Sequence, residues 1–174
     1  MFAWRAGLDT RTGAPGLRAL GVVLPNWDVW LDGGAPPLTY RVTQVLTANG
    51  CFGEYLRRIG KEATARCHHC DARVDSAQHT LEHCPAWAAL QHSLIGEIGL
   101  DLSPPAIFKA LLTSERGRKA VTSFCEQVML WKEASERERE RASHPERIGR
   151  RGLGGARGRA YMAHGRAAAT SEGE

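Results

Sequence analysis

Within the eighteen residues from Cys67 to Cys84 the chain places three of its five cysteines and four of its seven histidines. The stretch reads Cys67-His68-His69-Cys70, then Asp71 to Gln78, then His79-Thr80-Leu81-Glu82-His83-Cys84. Thiolate and imidazole are the two side-chain groups that bind zinc most readily, and two cysteines separated by two residues converge on one ion through a tight turn. His79 and Cys84 then supply two more ligands, giving Cys-x2-Cys-x8-His-x4-Cys. Four protein ligands close a tetrahedron and leave no position for a reactive water, so the chemistry implied is structural rather than catalytic. The fourth ligand is open to a second reading. His79 and His83 are four apart, as in a Cys2His2 finger, and His68 and His69 are also within reach. Cys84 is preferred because a thiolate binds zinc tightly and would compete at that distance.

The remaining two cysteines, Cys51 and Cys125, fall on apolar helical faces and read as core. Around the cluster lie Arg57, Arg58, Lys61, Arg66 and Arg73, candidates for contacts to phosphate. Trp87 is a candidate for stacking on a base. No phosphate-cradling Gly-rich loop, no nucleophile elbow and no adjacent aspartate pair for two magnesium ions occurs. The residues therefore point to a binding module and not to an enzyme.

The elements that must position the cluster read as helices. Thr39 is a natural N-cap for a helix through Val42, Val45 and Leu46, ended by Asn49-Gly50. A second helix carries Phe52, Tyr55, Leu56 and Ile59 on one face and ends at Gly60. Asp75 fits the N-cap of a short helix from Ser76 to His83. Pro85 suits the first turn of a helix striped by Trp87, Leu90, Leu94 and Ile98. Ser103-Pro104 starts another, through Ile107, Leu111 and Leu112. The last helix begins near Ser114 with a stripe of Val121, Phe124, Val128 and Trp131, then runs into alternating Glu and Arg from Lys132 to Arg141. That run lacks an apolar stripe and reads as a solvated helix end held by ion pairs.

Composition sets the frame. The 174 residues are 43% hydrophobic and 24% charged, ordinary for a globular chain, and the formal charge of +4 tilts mildly toward a polyanionic partner. Residues 1–26 are rich in Gly and Arg with Pro15 and Pro25, and are expected to be poorly ordered. Residues 27–142 form the helical domain around the knuckle at 67–84. Residues 143–174 are Gly, Ala and Arg with few apolar side chains, so they cannot bury enough surface to fold and are expected to be disordered. The fold class expected is mainly α, a small helical domain around one zinc site with disordered termini. No apolar run reaches the roughly 18 residues of a membrane span. No secretory signal opens the chain. An intracellular setting, nucleus or cytoplasm, is expected.

Several stretches together resemble a known family. They are Leu46-Thr47-Ala48-Asn49-Gly50-Cys51-Phe52, Tyr55-Leu56-Arg57-Arg58-Ile59-Gly60, Cys67-x2-Cys70, and Gln78-His79-Thr80-Leu81-Glu82-His83-Cys84-Pro85-Ala86-Trp87. The region from about Trp27 to Arg141 resembles the C-terminal region of the reverse-transcriptase polyproteins of non-LTR retrotransposons. That resemblance implies a Cys-Cys-His-Cys knuckle on Cys67, Cys70, His79 and Cys84, and so favours Cys84 over His83. It also implies RNA or DNA as partner and a reverse-transcriptase domain as neighbour. The chain departs from the family at Ala48-Asn49-Gly50, where relatives commonly read Gly-His-Gly. It also lacks the polymerase fingers, palm and catalytic aspartates and the endonuclease, so it reads as a piece of such a polyprotein. Two functions follow as expectations. The first is a zinc-stabilised nucleic-acid-binding module. The second is a protein-docking module that uses Trp27, Trp30 and Trp131.

Overall fold

The computed structural model describes residues 17–34 and 36–143. Among them are seven α-helices and no strand. These are α1 (Leu17–Val23), α2 (Trp27–Gly33), α3 (Tyr40–Thr47), α4 (Gly53–Arg58), α5 (Ala88–Ile98), α6 (Pro104–Thr113) and α7 (Glu115–Ser143). A 3-10 turn, Leu24–Asn26, joins α1 to α2, and a π-turn, His79–His83, with a 3-10 turn, Pro85–Trp87, precedes α5. The mainly α architecture expected from the sequence is what the chain adopts. The expected disorder of 1–16 and 144–174 lies outside the described residues.

The segment through Asn26, expected to be poorly ordered, is helical from Leu17 onward. The reason is tertiary. α1 packs on α3 and α6, and α2 packs on α6. Val22 is buried, and Asn26 donates from Nδ2 to the Pro105 carbonyl at 2.9 Å. Trp27 meets Trp30 edge-on at 5.2 Å between centroids, and Trp30 in turn meets Phe108 of α6 at 6.3 Å. The two tryptophans are half-buried in the fold rather than displayed.

The α3–α4 hairpin forms as its residues direct, with one shift at the turn. The Thr39 hydroxyl accepts from the Val42 amide at 3.3 Å and caps α3. The left-handed residue that stops α3 is Ala48 (φ 56°), one position before Asn49-Gly50. Its carbonyls are closed by Ala48 N to Val45 O and by Asn49 N to Gln44 O, at 3.3 and 3.1 Å. Cys51 lies in this turn and is half-buried, not on a helical face. Leu56 of α4 and Phe52 just before the helix are buried, while Ile59 just after it is exposed.

The core runs under the knuckle from Val42, Val45 and Phe52 to Leu81, Leu94, Ile107, Leu111, Phe124, Val128 and Met129. Cys125 is core as expected, and burial pushes its thiol up to about 12. The stripe of α7 differs from the expected one at its end. Trp131 is 64% exposed, and Lys132 takes the inward position at 1% exposure. Lys132 follows Val121, Phe124, Cys125, Val128 and Met129 at the next turn of the same face. The folded unit ends at Lys132, and Glu133 opens the second. In that second unit Arg137 pairs with Glu133 at 3.2 Å, an i,i+4 bridge of the kind expected for this charged run.

Candidate metal centre

The first half of the site is a tight turn closed by its own backbone. Asp71 N donates to Cys67 O at 3.0 Å and Cys67 N to Ala72 O at 2.9 Å. Asp71 adopts φ 62°, a left-handed conformation that aspartate tolerates better than most side chains. Its carboxylate meets Arg66 at 2.9 Å across the turn. The turn folds Cys67 and Cys70 toward the same point.

The second half explains the choice between His83 and Cys84. Residues His79–His83 form a π-turn, in which Cys84 N donates to His79 O at 2.8 Å. An α-helix would set residues five apart about 140° away from each other around the axis. The wider turn brings the fifth residue back over the first, so Cys84 comes to lie beside His79. His83 is left outside, exposed and 3.8 Å from the Glu82 carboxylate. Two carbonyls in this segment, Thr80 O and Cys84 O, are satisfied by Nε2 of Gln91 on α5, at 3.0 and 3.3 Å. The cap at the start of the segment is Ser76, whose Oγ accepts from His79 N at 3.0 Å. Asp75, expected as that cap, does something else.

The ligand atoms of Cys67, Cys70, His79 and Cys84 all lie within 4.8 Å of one another. Cys67 Sγ and Cys84 Sγ are 3.9 Å apart, and Cys70 Sγ is 3.2 Å from His79 Nε2. Four ligands about 2.0–2.3 Å from a tetrahedral ion sit about 3.3–3.8 Å from each other. The set therefore can hold one metal ion with small adjustments. Cys67 and Cys84 are fully buried and Cys70 and His79 half-buried. Burial raises the Cys67 thiol and pushes Cys84 up to about 12, so each opposes an isolated thiolate there. Backbone amides pull the other way. His69 N–H faces the Cys67 sulfur and Ala86 N–H the Cys84 sulfur, as outer-shell donors to ligating thiolates do. Burial lowers the His79 value and favours the neutral ring that ligates.

Asp75 is buried beneath this site. Its carboxylate oxygens each lie 2.7 Å from Nζ of Lys132, which also sits 5.2 Å above the Phe52 ring. Asp75 Oδ2 accepts from Gly53 N at 3.1 Å and Oδ1 from the Thr80 hydroxyl at 3.4 Å. The backbone of Asp75 is tied as well, its N–H to Ala65 O and its carbonyl to Glu54 N. One residue thus joins the knuckle, the start of α4 and α7. Gly53 permits the approach, since a Cβ there would stand 2.6 Å from Ala65 O and 2.8 Å from Arg66 O. Sequence reading missed Gly53, Gln91 and the Asp75–Lys132 pair. The one signal for the pair was a lysine continuing a core-facing stripe.

Of the candidate phosphate contacts, all five are exposed. Arg57 and Arg58 end α4, where Arg58 bonds Asn49 Oδ1 at 2.8 Å and lies 5.0 Å over the Tyr55 ring. Lys61 follows that helix, Arg66 is held by Asp71, and Arg73 lies beyond the cysteine turn. Trp87 is not available for stacking on a base. It is buried, with the His69 ring tilted against it at 4.9 Å. No helix among the described residues is long and apolar enough to cross a membrane. No protein-family model matches the chain, and no curated protein or solved structure matches it either.

Proposed function

We propose that this chain is a zinc-stabilised nucleic-acid-binding module. The observation that carries the reading is the convergence of three thiols and one imidazole within 4.8 Å. Soft sulfur ligands with one nitrogen select zinc among the common structural metals. The ligand set is closed, so the ion organises the fold and has no position left for a substrate. We accordingly read the chain as a binding module without a catalytic role.

A partner of RNA or DNA is supported by the formal charge of +4 and by the exposed Arg57, Arg58, Lys61, Arg66 and Arg73. It is also supported by the resemblance to the C-terminal region of non-LTR retrotransposon reverse transcriptases. Such a role places the chain in the nucleus or cytoplasm. With Trp87 buried, the contacts are to phosphate rather than by stacking, and affinity is governed by salt. The docking alternative rests on Trp131 and Leu130, which expose 64% and 54% of their surface on α7. A reverse-transcriptase domain is the partner the resemblance suggests for that surface.

Metal content of the full chain, with binding to single- and double-stranded oligonucleotides before and after chelation, tests the proposal. One equivalent of zinc and a binding that chelation abolishes are expected. Zinc without oligonucleotide binding at low salt would favour the docking alternative, and absence of zinc would overturn the reading.

A further inference from the structure

The loop that carries the metal ligands and the helix that closes the core share one buried ion pair. Asp75 lies between Cys70 and His79 in the chain, and Lys132 lies on the inward face of α7. Their side chains expose 4% and 1% of their surface, and Nζ touches both carboxylate oxygens at 2.7 Å. Lys132 rests on the Phe52 ring as well, but the ring carries no charge to replace the carboxylate. Asp75 is placed by the knuckle on both sides. Its N–H is bonded to Ala65 O, two residues before Cys67, and Thr80 of the π-turn donates to its carboxylate.

We infer that metal occupancy latches α7 onto the domain through Lys132, an inference that rests on the metal reading above. With an ion bound, the cysteine turn and the π-turn are pinned to each other, and Asp75 between them is held against Lys132. Without it, no shared ion joins the cysteine turn to the π-turn, whose ligand atoms are otherwise side by side within 4.8 Å. Asp75 is then free to withdraw, and a buried ammonium stripped of its carboxylate is strongly unfavourable. Lys132 must move toward water and take the last core turn of α7 with it. The coupling is reciprocal by necessity, so loss of Lys132 must weaken the metal site by as much as loss of metal weakens the latch. Lys132 is in this sense a positioning residue for a metal centre that it does not touch.

The test uses the full chain with zinc as the probe. Chelation is expected to speed amide exchange across residues 126–132 by about tenfold or more, with a smaller change in α6. Lys132→Met, which keeps the stem and removes the charge, is expected to weaken zinc affinity by about tenfold, a typical coupling between linked sites. Val128→Ala removes packing from the same face and is expected to leave zinc affinity within about twofold, separating the latch from general destabilisation. Should Lys132→Met fail to fold, the exchange comparison in the unaltered chain decides by itself. Tight zinc binding with α7 exchange indifferent to chelation would overturn the latch and leave the metal reading standing. A chain that binds no zinc would overturn both.

Discussion

Lys132 Nζ is bonded at 2.7 Å to each carboxylate oxygen of Asp75, fifty-seven residues earlier in the chain, with both side chains almost fully removed from water. A pair this buried is costly to break from one side, because the survivor keeps its charge without its partner. Lys132→Met or Asp75→Leu is expected to destabilise the metal-loaded chain by about 3–5 kcal/mol. The double variant is expected to lose much less than the sum, since two apolar groups leave no orphaned charge. Urea denaturation of the four proteins measures the cycle; additive losses would show that the pair acts as two independent contacts.

The π-turn sets Cys84, and not His83, beside Cys67, Cys70 and His79, so substitutions at positions 83 and 84 are expected to act oppositely on metal binding. Cys84→Ser is expected to abolish stoichiometric metal binding, and His83→Ala to leave it intact. Cobalt substitution, read by its thiolate charge-transfer absorption, reports the count of sulfur ligands directly. A variant at His83 that loses the cobalt spectrum would reverse the assignment.

Gly53 is required by the closeness of the chain to residues 65 and 66, where a Cβ would stand 2.6 Å from a carbonyl oxygen. Gly53→Ala forces that backbone aside, and a shift of this kind is expected to cost about 1–3 kcal/mol. Because Cys67 follows directly, metal affinity is expected to fall with stability. A thermal melt paired with a chelator competition checks both, and an unaffected variant would mean that the two segments separate at no cost.

Glu126 of α7 accepts from the Thr39 hydroxyl at 2.6 Å and pairs with Arg41 at 2.8 Å, and these two bonds hold its carboxyl below the ordinary value of 4.5. A carboxyl depressed on folding stabilises at pH values above its unfolded value. That contribution is lost as pH falls from about 4.5 through the lower folded value. Glu126→Gln is expected to lower the urea midpoint near neutrality and to flatten its decline in that acid window. Matching pH profiles for the two proteins would show that the α3–α7 bridge adds nothing.

If the partner is a nucleic acid, its binding must depend on salt. Arg57→Gln with Arg58→Gln is expected to reduce the slope of log affinity against log salt by about two, near one for each arginine–phosphate pairing removed. Oligonucleotide titrations over a salt series measure it, and an unchanged slope would place the interface elsewhere.

Much of this molecule was legible from local pattern. That Cys67, Cys70 and His79 belong to one candidate metal cluster follows from side-chain chemistry and spacing, whereas the place of Cys84 rather than His83 beside them is set by the π-turn. Thr39 as a cap, Pro85 and Ser103-Pro104 as helix starts, and the apolar stripes of α5 and α6 are likewise short-range effects, set within one or two turns. These suffice for a mainly α chain with a cysteine-histidine cluster that could hold a metal ion.

The rest depends on contacts that no local window contains. Residues 1–26, rich in Gly and Arg with Pro15 and Pro25, read as loose chain, yet Leu17–Asn26 is ordered by packing against α3 and α6. Asp75 has the chemistry of a helix cap, yet a lysine fifty-seven residues away claims its carboxylate, while Ser76 takes the cap. Trp131 is the more hydrophobic neighbour but faces outward, because the inward position at that turn of α7 lies over Asp75. In each case the desolvation of a buried group, fixed by what the folded chain brings against it, outweighs the preference of the residue taken alone.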